Sequence, residues 1–515
     1  MLILWLWKNN RGYNMKKRIF SIIAVILASQ LMLQSIVFAA AGDAGFEGGI
    51  STWDSDGKTA MDYKEVCFIT GEPIVYEGGL IVKTTSSKNS VVSKYTYSLT
   101  STKNSTDKII RSFTLTTNKT TAKNQISETT TITKPAEAIT VSGQVYSLKS
   151  YEFSKATITD DKPAVDYYSG KLSSQKVYII DGDSTNTVKI ETTGDIYGYQ
   201  QYWGNIEAQK LSETITNEKV TNGETQTIGI GTANINISSG MSKSFKYSEN
   251  EPQVISFDGG FIQSEQNESV LEYSARLTDS AEYVNDYNGT LKTQNSPTLK
   301  SFASANIYKA KGHWAEQYIN EMYSLDIFDE DISSFNPDEY ITKVEFIAAM
   351  VNAVKNVGVS QTTSTTKPTT GGKKTTPISP FTDLSVNNKY FSKINDALNM
   401  GLINGKGDGT LGVNDYLIMA DTLTVFINAL GLENIAPGEN PVTYFKDNDD
   451  IPAYARRPAY TAQKIGLIKG DDKGYLNPNS YVTKAQAATL ISRFLQYLRQ
   501  DIRKDYRDRI VGYAD

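Results

Sequence analysis

Two residue types that carry much of protein chemistry are almost absent. The 515 residues include one cysteine, Cys67, and one histidine, His313. A single cysteine excludes any disulfide within the chain. A single histidine excludes HExxH metal sites, and excludes Ser-His-Asp triads away from His313 itself. Charge of either sign is scarce as an excess: 52 basic against 57 acidic residues leave a formal net charge of −5. That mild acidity favours solubility and gives no footprint for nucleic acid. Beyond the first forty or so residues, no stretch approaches the roughly 18 apolar residues of a spanning helix.

The one long apolar run lies at the front. Lys16, Lys17 and Arg18 precede IFSIIAVILASQLMLQSIVFAA, which ends in small residues. This is the pattern of a secretory signal peptide over residues 1–41, cleaved after Ala39 or Ala41. A retained membrane anchor is the other reading, and Gln30 and Gln34 within the run argue against it. Residues 1–14 read as an upstream extension, because Met15 begins an ordinary signal by itself.

Residues 42–300 are rich in Thr, Ser, Tyr and β-branched types. VVSKYTYSL, RSFTLTT, KVYIID and TVKIETT alternate apolar and polar residues, as half-buried strands do. Turn signals separate them: GEP at 71–73, EGG at 77–79, DGD at 181–183, TNGE at 221–224 and SFDGG at 256–260. The expected fold is all-β, with sandwich-like antiparallel sheets. The stretch is too long for one immunoglobulin-like unit, so it holds either two sandwiches or one elaborated sheet.

The remainder carries one motif three times. Copies run from Gly312 to Val351, from Lys389 to Gly431 and from Tyr454 to Phe494. Such self-similarity marks a repeated supersecondary unit, here helix, turn, loop and capped helix. Trp314, Tyr318, Ile319 and Met322 fall at helical spacing in the first copy. Ile394, Ala397 and Leu398 do so in the second, and Ala459, Ala462 and Ile465 in the third, with Pro458 in the first turn. Gly401 and Gly466 then stop the opening helix. The second helix of the first and third copies opens with a capping box, Thr342-Lys-Val-Glu345 and Thr483-Lys-Ala-Gln486. Lys343 and Lys484 stand in the first turn, where a cation opposes the helix dipole at a cost of about 0.3–1 kcal/mol. A helix N-terminus with a lysine is also a good anion site, and the recurrence at one repeat position favours that reading. The middle copy has Ile418-Met-Ala-Asp421 instead, without Thr cap or cation.

The repeat resembles the S-layer homology (SLH) repeat, whose box usually reads Thr-Arg-Ala-Glu. The resemblance implies three units packed as a pseudo-threefold trimer within one chain, with grooves between neighbours that bind an acidic secondary cell-wall polysaccharide. It assigns residues 305–357, 381–434 and 443–500 to repeats, the second degenerate. Between the first two lies a flexible Thr/Pro-rich insertion at 358–380, and a charged tail follows at 501–515. The polymer-binding candidates are Trp314, Lys343, Tyr454, Arg456 and Lys484, while Thr342, Glu345, Thr483 and Gln486 serve as helix caps. Lysine in place of arginine keeps the charge and loses the bidentate fork. Trp314 reads either as core or as a sugar platform, and Arg456 and Arg457 either hold glycan or are solvated. On this reading the first and third copies are competent and the middle one is a spacer. FITGEPIVYEGG and PAVDYYSG also resemble stretches of clostridial SLH-bearing surface proteins, and an exported chain without disulfides suits a Gram-positive surface.

The expected protein is therefore non-catalytic and wall-anchored, its β-region facing outward as a structural or adhesive layer. Its partners would be the wall glycan and other surface-layer proteins. The alternative is a wall-anchored carbohydrate-active enzyme with its site in residues 42–300. Glycosidases need two carboxylates, and Glu207, Glu213 and Asp195 near the aromatic stretch DIYGYQQYWGNIEAQ are candidates, though alternating aromatics are commonly sheet core. No cofactor is called for. The Asp-rich turns at Asp54-Ser-Asp56, Asp181-Gly-Asp183 and Asp447-Asn-Asp449-Asp450 invite calcium, but none completes an EF-hand loop.

Overall fold

The structure, a computed structural model, describes residues 48–51, 60–248, 259–278, 283–305, 307–355 and 379–506. The signal-peptide stretch, the Asp54–Asp56 turn, nearly all of the Thr/Pro-rich insertion and the end of the charged tail lie outside these residues.

Among the described residues, fourteen strands form one antiparallel sheet. They are β1 (Gly49–Ser51), β2 (Ala60–Cys67), β3 (Ile74–Ser86), β4 (Ser90–Ser101), β5 (Lys108–Ala122), β6 (Gln125–Val141), β7 (Gln144–Asp160), β8 (Asp166–Ile180), β9 (Asp183–Gln201), β10 (Gly204–Thr221), β11 (Glu224–Ser248), β12 (Gly260–Thr278), β13 (Val284–Gln294) and β14 (Thr298–Ala303). From β1 to β13 the spatial order is the chain order, and β14 pairs with β12. Of the two expected arrangements, the elaborated single sheet is the one present. It rolls towards closure: β1 lies against β12 and β13, and Ser269 Oγ and Thr293 Oγ1 both donate to the Ser51 carbonyl at 3.3 Å.

Period-2 patterning decides which face turns inward. Tyr95, Tyr97 and Leu99 on β4, Tyr151 and Phe153 on β7, and Ala233, Ile235 and Ile237 on β11 are buried, with their neighbours in sequence facing out. The DGD and TNGE signals are the tight turns β8–β9 and β10–β11, with Asp181, Gly182, Asn222 and Gly223 all at positive φ. Several hairpins outrun the core, and the Thr-rich tips of β5–β6 and β10–β11 are exposed.

The interior also holds charge. Arg111 makes a two-pronged pair with Glu65 at 2.7 and 2.9 Å and reaches Glu137 at 2.6 Å. Glu137 further accepts from Lys176 at 3.2 Å and Tyr178 at 3.1 Å. Burial alone would raise the Glu137 carboxyl, but the Arg111 and Lys176 cations hold it down at about 2.

The repeats are helix pairs: α1 (Glu316–Ser324) with α2 (Lys343–Lys355), α3 (Phe391–Asn399) with α4 (Met419–Leu430), and α5 (Arg456–Lys464) with α6 (Lys484–Gln496). After α6 the charged segment continues through a π-helical turn, Tyr497–Asp501, and a last turn, Ile502–Asp505. Ile319, Met322, Ile394, Ala397, Ala459 and Ala462 are buried as the helical spacing predicts. Trp314 is not on that face: α1 starts two residues later, leaving the indole 62% exposed in the preceding turn. Gly401 and Gly466 close their helices at positive φ, and Asp326 takes that place in the first repeat at φ 54°, a conformation costing a non-glycine residue about 1 kcal/mol. In all three, the N–H one residue further on returns to the helix: Ile327 to Met322, Leu402 to Ala397 and Leu467 to Ala462, each at 2.8 Å.

A cyclic hydrogen-bond ring makes the three pairs one body. Ile341 N–H donates to Val482, Val482 to Leu417 and Leu417 to Ile341, at 3.0, 2.9 and 2.9 Å. Beneath the ring, Phe346, Phe426 and Phe494 are fully buried, with Phe426 5.9 Å from Phe346 and 5.0 Å from Phe494. The same apolar core includes Ala164, Val165, Tyr199 and Trp203 from the sheet. There the Gln201 amide donates to the Leu498 carbonyl at 2.6 Å and Ala164 N–H to Ala429 at 2.9 Å.

Candidate functional site: composite grooves of the helical repeats

The pseudo-threefold arrangement sends each box helix to its neighbour. Lys343 N–H donates to Asp415 O at 2.9 Å, Met419 N–H to Ser480 O at 3.2 Å and Lys484 N–H to Glu339 O at 2.8 Å. So the first repeat leans on the second, the second on the third and the third on the first. A helix start leaves N–H groups without intrahelical partners, and the neighbouring loops supply acceptors. This explains how α4 begins at Met419 with no side-chain cap from Ile418 before it.

The other two helices add side-chain caps. Thr483 accepts from Gln486 N–H at 3.2 Å, and Gln486 Oε1 accepts from Thr483 N–H at 2.9 Å. Glu345 Oε2 accepts from Thr342 N–H at 2.9 Å and from its hydroxyl at 2.8 Å. Two aspartates, in Phe381-Thr-Asp383 and Phe445-Lys-Asp447, lock turns: Asp383 accepts from the N–H groups of Leu411, Gly412 and Val413, and Asp447 from those of Leu476 and Asn477.

The sequence-predicted binding residues do not gather in one place. Lys343 and Tyr454, from the first and third repeats, meet at Asp421 of the second. Lys343 Nζ is 2.9 Å from one carboxylate oxygen and the Tyr454 hydroxyl donates to the other at 2.7 Å. Lys343 and Asp421 side chains are each 18% exposed, so the pair is accessible without being freely solvated. Burial and then the Asp421 charge raise the Tyr454 phenol above its ordinary range. Asp421 was read in the sequence as part of a decayed box. Its position is nevertheless that of Glu345 and Gln486, the third helical residue, and the retained acid there was the signal available.

Lys484 stands elsewhere. It bonds Glu330 and Glu339, each at 2.8 Å, and only 6% of its side chain is exposed. Burial lowers the ammonium, but the two glutamates outweigh that and hold it above its ordinary value. Asp329, Glu330, Glu345, Phe335 and Tyr390 line the same groove, so its charge is dominated by carboxylates of the protein itself. Lys389, opposite the opening aromatics of the other copies, lies 4.5 Å above the Tyr390 ring. Arg456 bonds Asn440 at 3.1 Å and the Ile451 carbonyl at 3.4 Å. Arg457 bonds the Glu433 carbonyl at 2.9 Å. The Trp314 ring is tilted against that of His313 with centroids 5.3 Å apart, and His313 Nε2 lies 3.4 Å from Asp338.

The residues weighed for glycoside chemistry stay apart. Glu207 is 1% exposed and accepts from Tyr168 at 2.9 Å and Gln209 at 2.6 Å. Glu213 shares its strand six residues on, about 20 Å away, against the 5–10 Å that glycoside hydrolysis asks of a carboxylate pair. Asp195 pairs with Lys171 at 2.7 Å on the exposed surface. A cavity of about 820 Å³ between β10–β12 and the last helical turns has Lys210, Arg503 and Lys504 on its walls, with Glu272 as the one carboxylate among the described lining residues.

Comparison with known proteins matches the S-layer homology domain at residues 310–347 and 444–488. The chain carries S-layer homology domains. The two matched SLH segments are the first and third helix pairs, and the middle pair, which lost its box, lies outside them. Among relatives, a cell surface protein of Thermoanaerobacter kivui is 31% identical over 23% of this chain and 16% of that protein. The S-layer protein EA1 of Bacillus anthracis is 28% identical over 22% of this chain and 12% of its own length. An amylopullulanase of Thermoanaerobacterium thermosulfurigenes is 24% identical over 44% of this chain and 12% of its own. The chain thus spans less than a fifth of the length of these curated relatives. SLH domains imply anchoring to the cell wall, and with the surface-layer relatives they place the chain at the cell surface. No helix among the described residues is long and apolar enough to cross a membrane.

Proposed function

We propose that the SLH region holds the protein non-covalently to an acidic secondary cell-wall polysaccharide, chiefly through the Lys343–Asp421–Tyr454 cluster. The β-region is displayed outward as a structural or adhesive layer without catalytic activity. The observation that carries the reading is the convergence of three repeats on Asp421. A lysine at a helix N-terminus, beside an aromatic face and a hydroxyl, is suited to an anionic sugar. The glycan's carboxylate or phosphate takes the Lys343 ammonium, Asp421 accepts from a sugar hydroxyl, and the Tyr454 ring covers the apolar face.

Lys484 has a different part in this reading. Its two glutamates already satisfy it, so it joins the third repeat to the first. Competence therefore belongs to clusters built from three repeats and not to single copies, and the middle repeat contributes Asp421 where the sequence suggested a spacer. Trp314 and Arg456 are assigned to rim contacts, Trp314 through its exposed indole.

The test is sedimentation of the full chain with purified sacculi, before and after the secondary polymer is stripped. Binding should be lost on stripping and weaken with salt, because the contact is partly ionic. Lys343→Ala should weaken it by on the order of tenfold, and, because it leaves the buried Asp421 Oδ2 without its cation, it should also lower the melting temperature. Equal binding to stripped and intact sacculi would overturn polymer recognition. Normal binding by Lys343→Ala would overturn the cluster assignment.

A further inference from the structure

The residue two places before each box is a tyrosine in all three copies: Tyr340, Tyr416 and Tyr481. The middle copy lost its threonine and lysine and kept this residue. Each tyrosine forms a β-bridge to the neighbouring repeat, with Tyr340 opposite Thr483, Tyr416 opposite Thr342 and Tyr481 opposite Ile418. Strand alternation turns the next residues, Ile341, Leu417 and Val482, inward and the tyrosines outward. The three rings meet around the pseudo-threefold axis with centroids 5.4–5.6 Å apart, tilted 57–65° to one another like propeller blades.

These rings are not filling a core. They are 46%, 46% and 54% exposed, whereas Ile341, Leu417 and Val482 beneath them are at most 3% exposed and already seal the axis. Among the described residues none of the three hydroxyls has a recorded hydrogen-bond partner. The result is a contiguous aromatic cap on the surface, an uncommon feature without a partner to cover it. Its place is informative. Thr342 and Thr483, which bridge to the cap, immediately precede Lys343 and Lys484. The cap and the Lys343–Asp421–Tyr454 cluster thus share the end of the trimer where the box helices start.

We infer that the tyrosine triad is a second carbohydrate subsite, a stacking platform for an uncharged sugar ring of the same wall polymer, adjoining the acidic unit held by the cluster. This rests on the wall-binding reading above. Continuity with the cluster selects the occupant. A polymer leaving the cluster across the axis meets aromatic faces and free phenol hydroxyls, the pairing that suits the apolar face and hydroxyl rim of a pyranose. The platform carries no charged side chain of its own, so it adds length-dependent affinity that salt does not remove.

The experiment uses the full chain, intact sacculi, and oligosaccharides released from the wall polymer by partial hydrolysis and sized from one repeating unit upward. Tyr416→Leu combined with Tyr481→Leu keeps the axis apolar and removes two of the three rings. It should weaken binding of multi-unit fragments by on the order of tenfold and leave one-unit fragments unaffected. Tyr→Phe at both positions should retain most of the affinity. Equal affinity of the Leu variant for every fragment would overturn the platform while leaving the cluster reading intact. A fall in melting temperature with no change in fragment affinity would make the triad a structural plug, and a change in sedimentation coefficient alone would make it a self-association surface. Either outcome overturns the subsite. Failure of the unaltered chain to bind sacculi would remove the wall-binding reading and the platform with it, whereas Lys343→Ala weakening the binding of every fragment and the Leu variant only that of the longer ones supports both.

Discussion

Arg499 lies over the indole of Trp203, its guanidinium carbon 3.9 Å from the ring centroid, and its charge is met by Glu321 at 2.8 Å. The three residues come from the π-helical turn, the β9–β10 turn and the first repeat. Both charged side chains are 8% exposed, and Ser492 fills the other Glu321 oxygen at 2.5 Å. This contact joins sheet to repeats. Arg499→Met should cost about 3–5 kcal/mol, because it leaves a buried carboxylate without its cation. Adding Glu321→Gln should recover much of that loss. Calorimetry of the single and double variants checks both, and a merged transition splitting into two would show the sheet and repeats uncoupling.

Glu137 sets the acid limit of the sheet. Its carboxyl is held at about 2 in the folded chain, below an ordinary carboxylate. The stabilisation is therefore complete above the ordinary value near 4.5 and is lost as pH falls from there through 2. Denaturant titrations at stepped pH should show stability falling across that window. Glu137→Gln should flatten the slope there and destabilise the protein at neutral pH by a few kcal/mol, since Arg111 and Lys176 lose their shared anion.

Asp166 should act with the opposite sign. Burial, followed by the charge and hydrogen bond of Asp161, raises its carboxyl to about 8. The folded chain then binds a proton that the unfolded chain has released, so stability falls as pH rises from about 4 to 8. Asp166→Asn keeps a donor towards Asp161 without the charge. It should raise the melting temperature at pH 8 by a few degrees and make little difference at pH 4. A lower melting temperature at pH 8 would refute the shared-proton arrangement.

Cys67 is buried beside the Glu65–Arg111 cluster, and burial pushes its thiol up to about 12. The thiolate is the reactive form, so maleimide or iodoacetamide should label the native chain only as fast as the sheet opens. Labelling should accelerate with denaturant in step with unfolding. Rapid labelling in buffer at neutral pH would contradict the closed interior.

Much of this was legible in the chain. VVSKYTYSL and TVKIETT became β4 and β9, and Asp181-Gly182 and Asn222-Gly223 made the tight turns that their residue types demand. Strand order was not legible, because alternation says which residues face inward and nothing about which strand lies beside which. The 25 residues of β11 were hidden for a related reason: its outer end, Glu224–Gly229, is exposed on both faces and loses the period that marks a strand. Among site residues, Lys343 stood out because a cation in the first turn is unfavourable. Asp421 was missed because its importance depends on Lys343 and Tyr454, 78 residues before it and 33 residues after it. Lys484 looked equivalent to Lys343 until its glutamate partners, about 150 residues earlier, were visible. Trp314 was placed on a helix that begins just beyond it.

The meander has a consequence for how the molecule is assembled. Almost every strand pairs with the piece of chain laid down immediately before it, so each new hairpin closes only a short loop and adds to an existing edge. Such a sheet can grow by accretion from either end, like a zip fastener, without waiting for distant partners. The joints that must wait for distant chain include the approach of β1 to β12 and β13, the Ala164–Ala429 hydrogen bond, and the seating of the final helical turns on Trp203 and Tyr199. A truncation that removes the last turns should therefore leave the hairpins formed and the two halves unlatched.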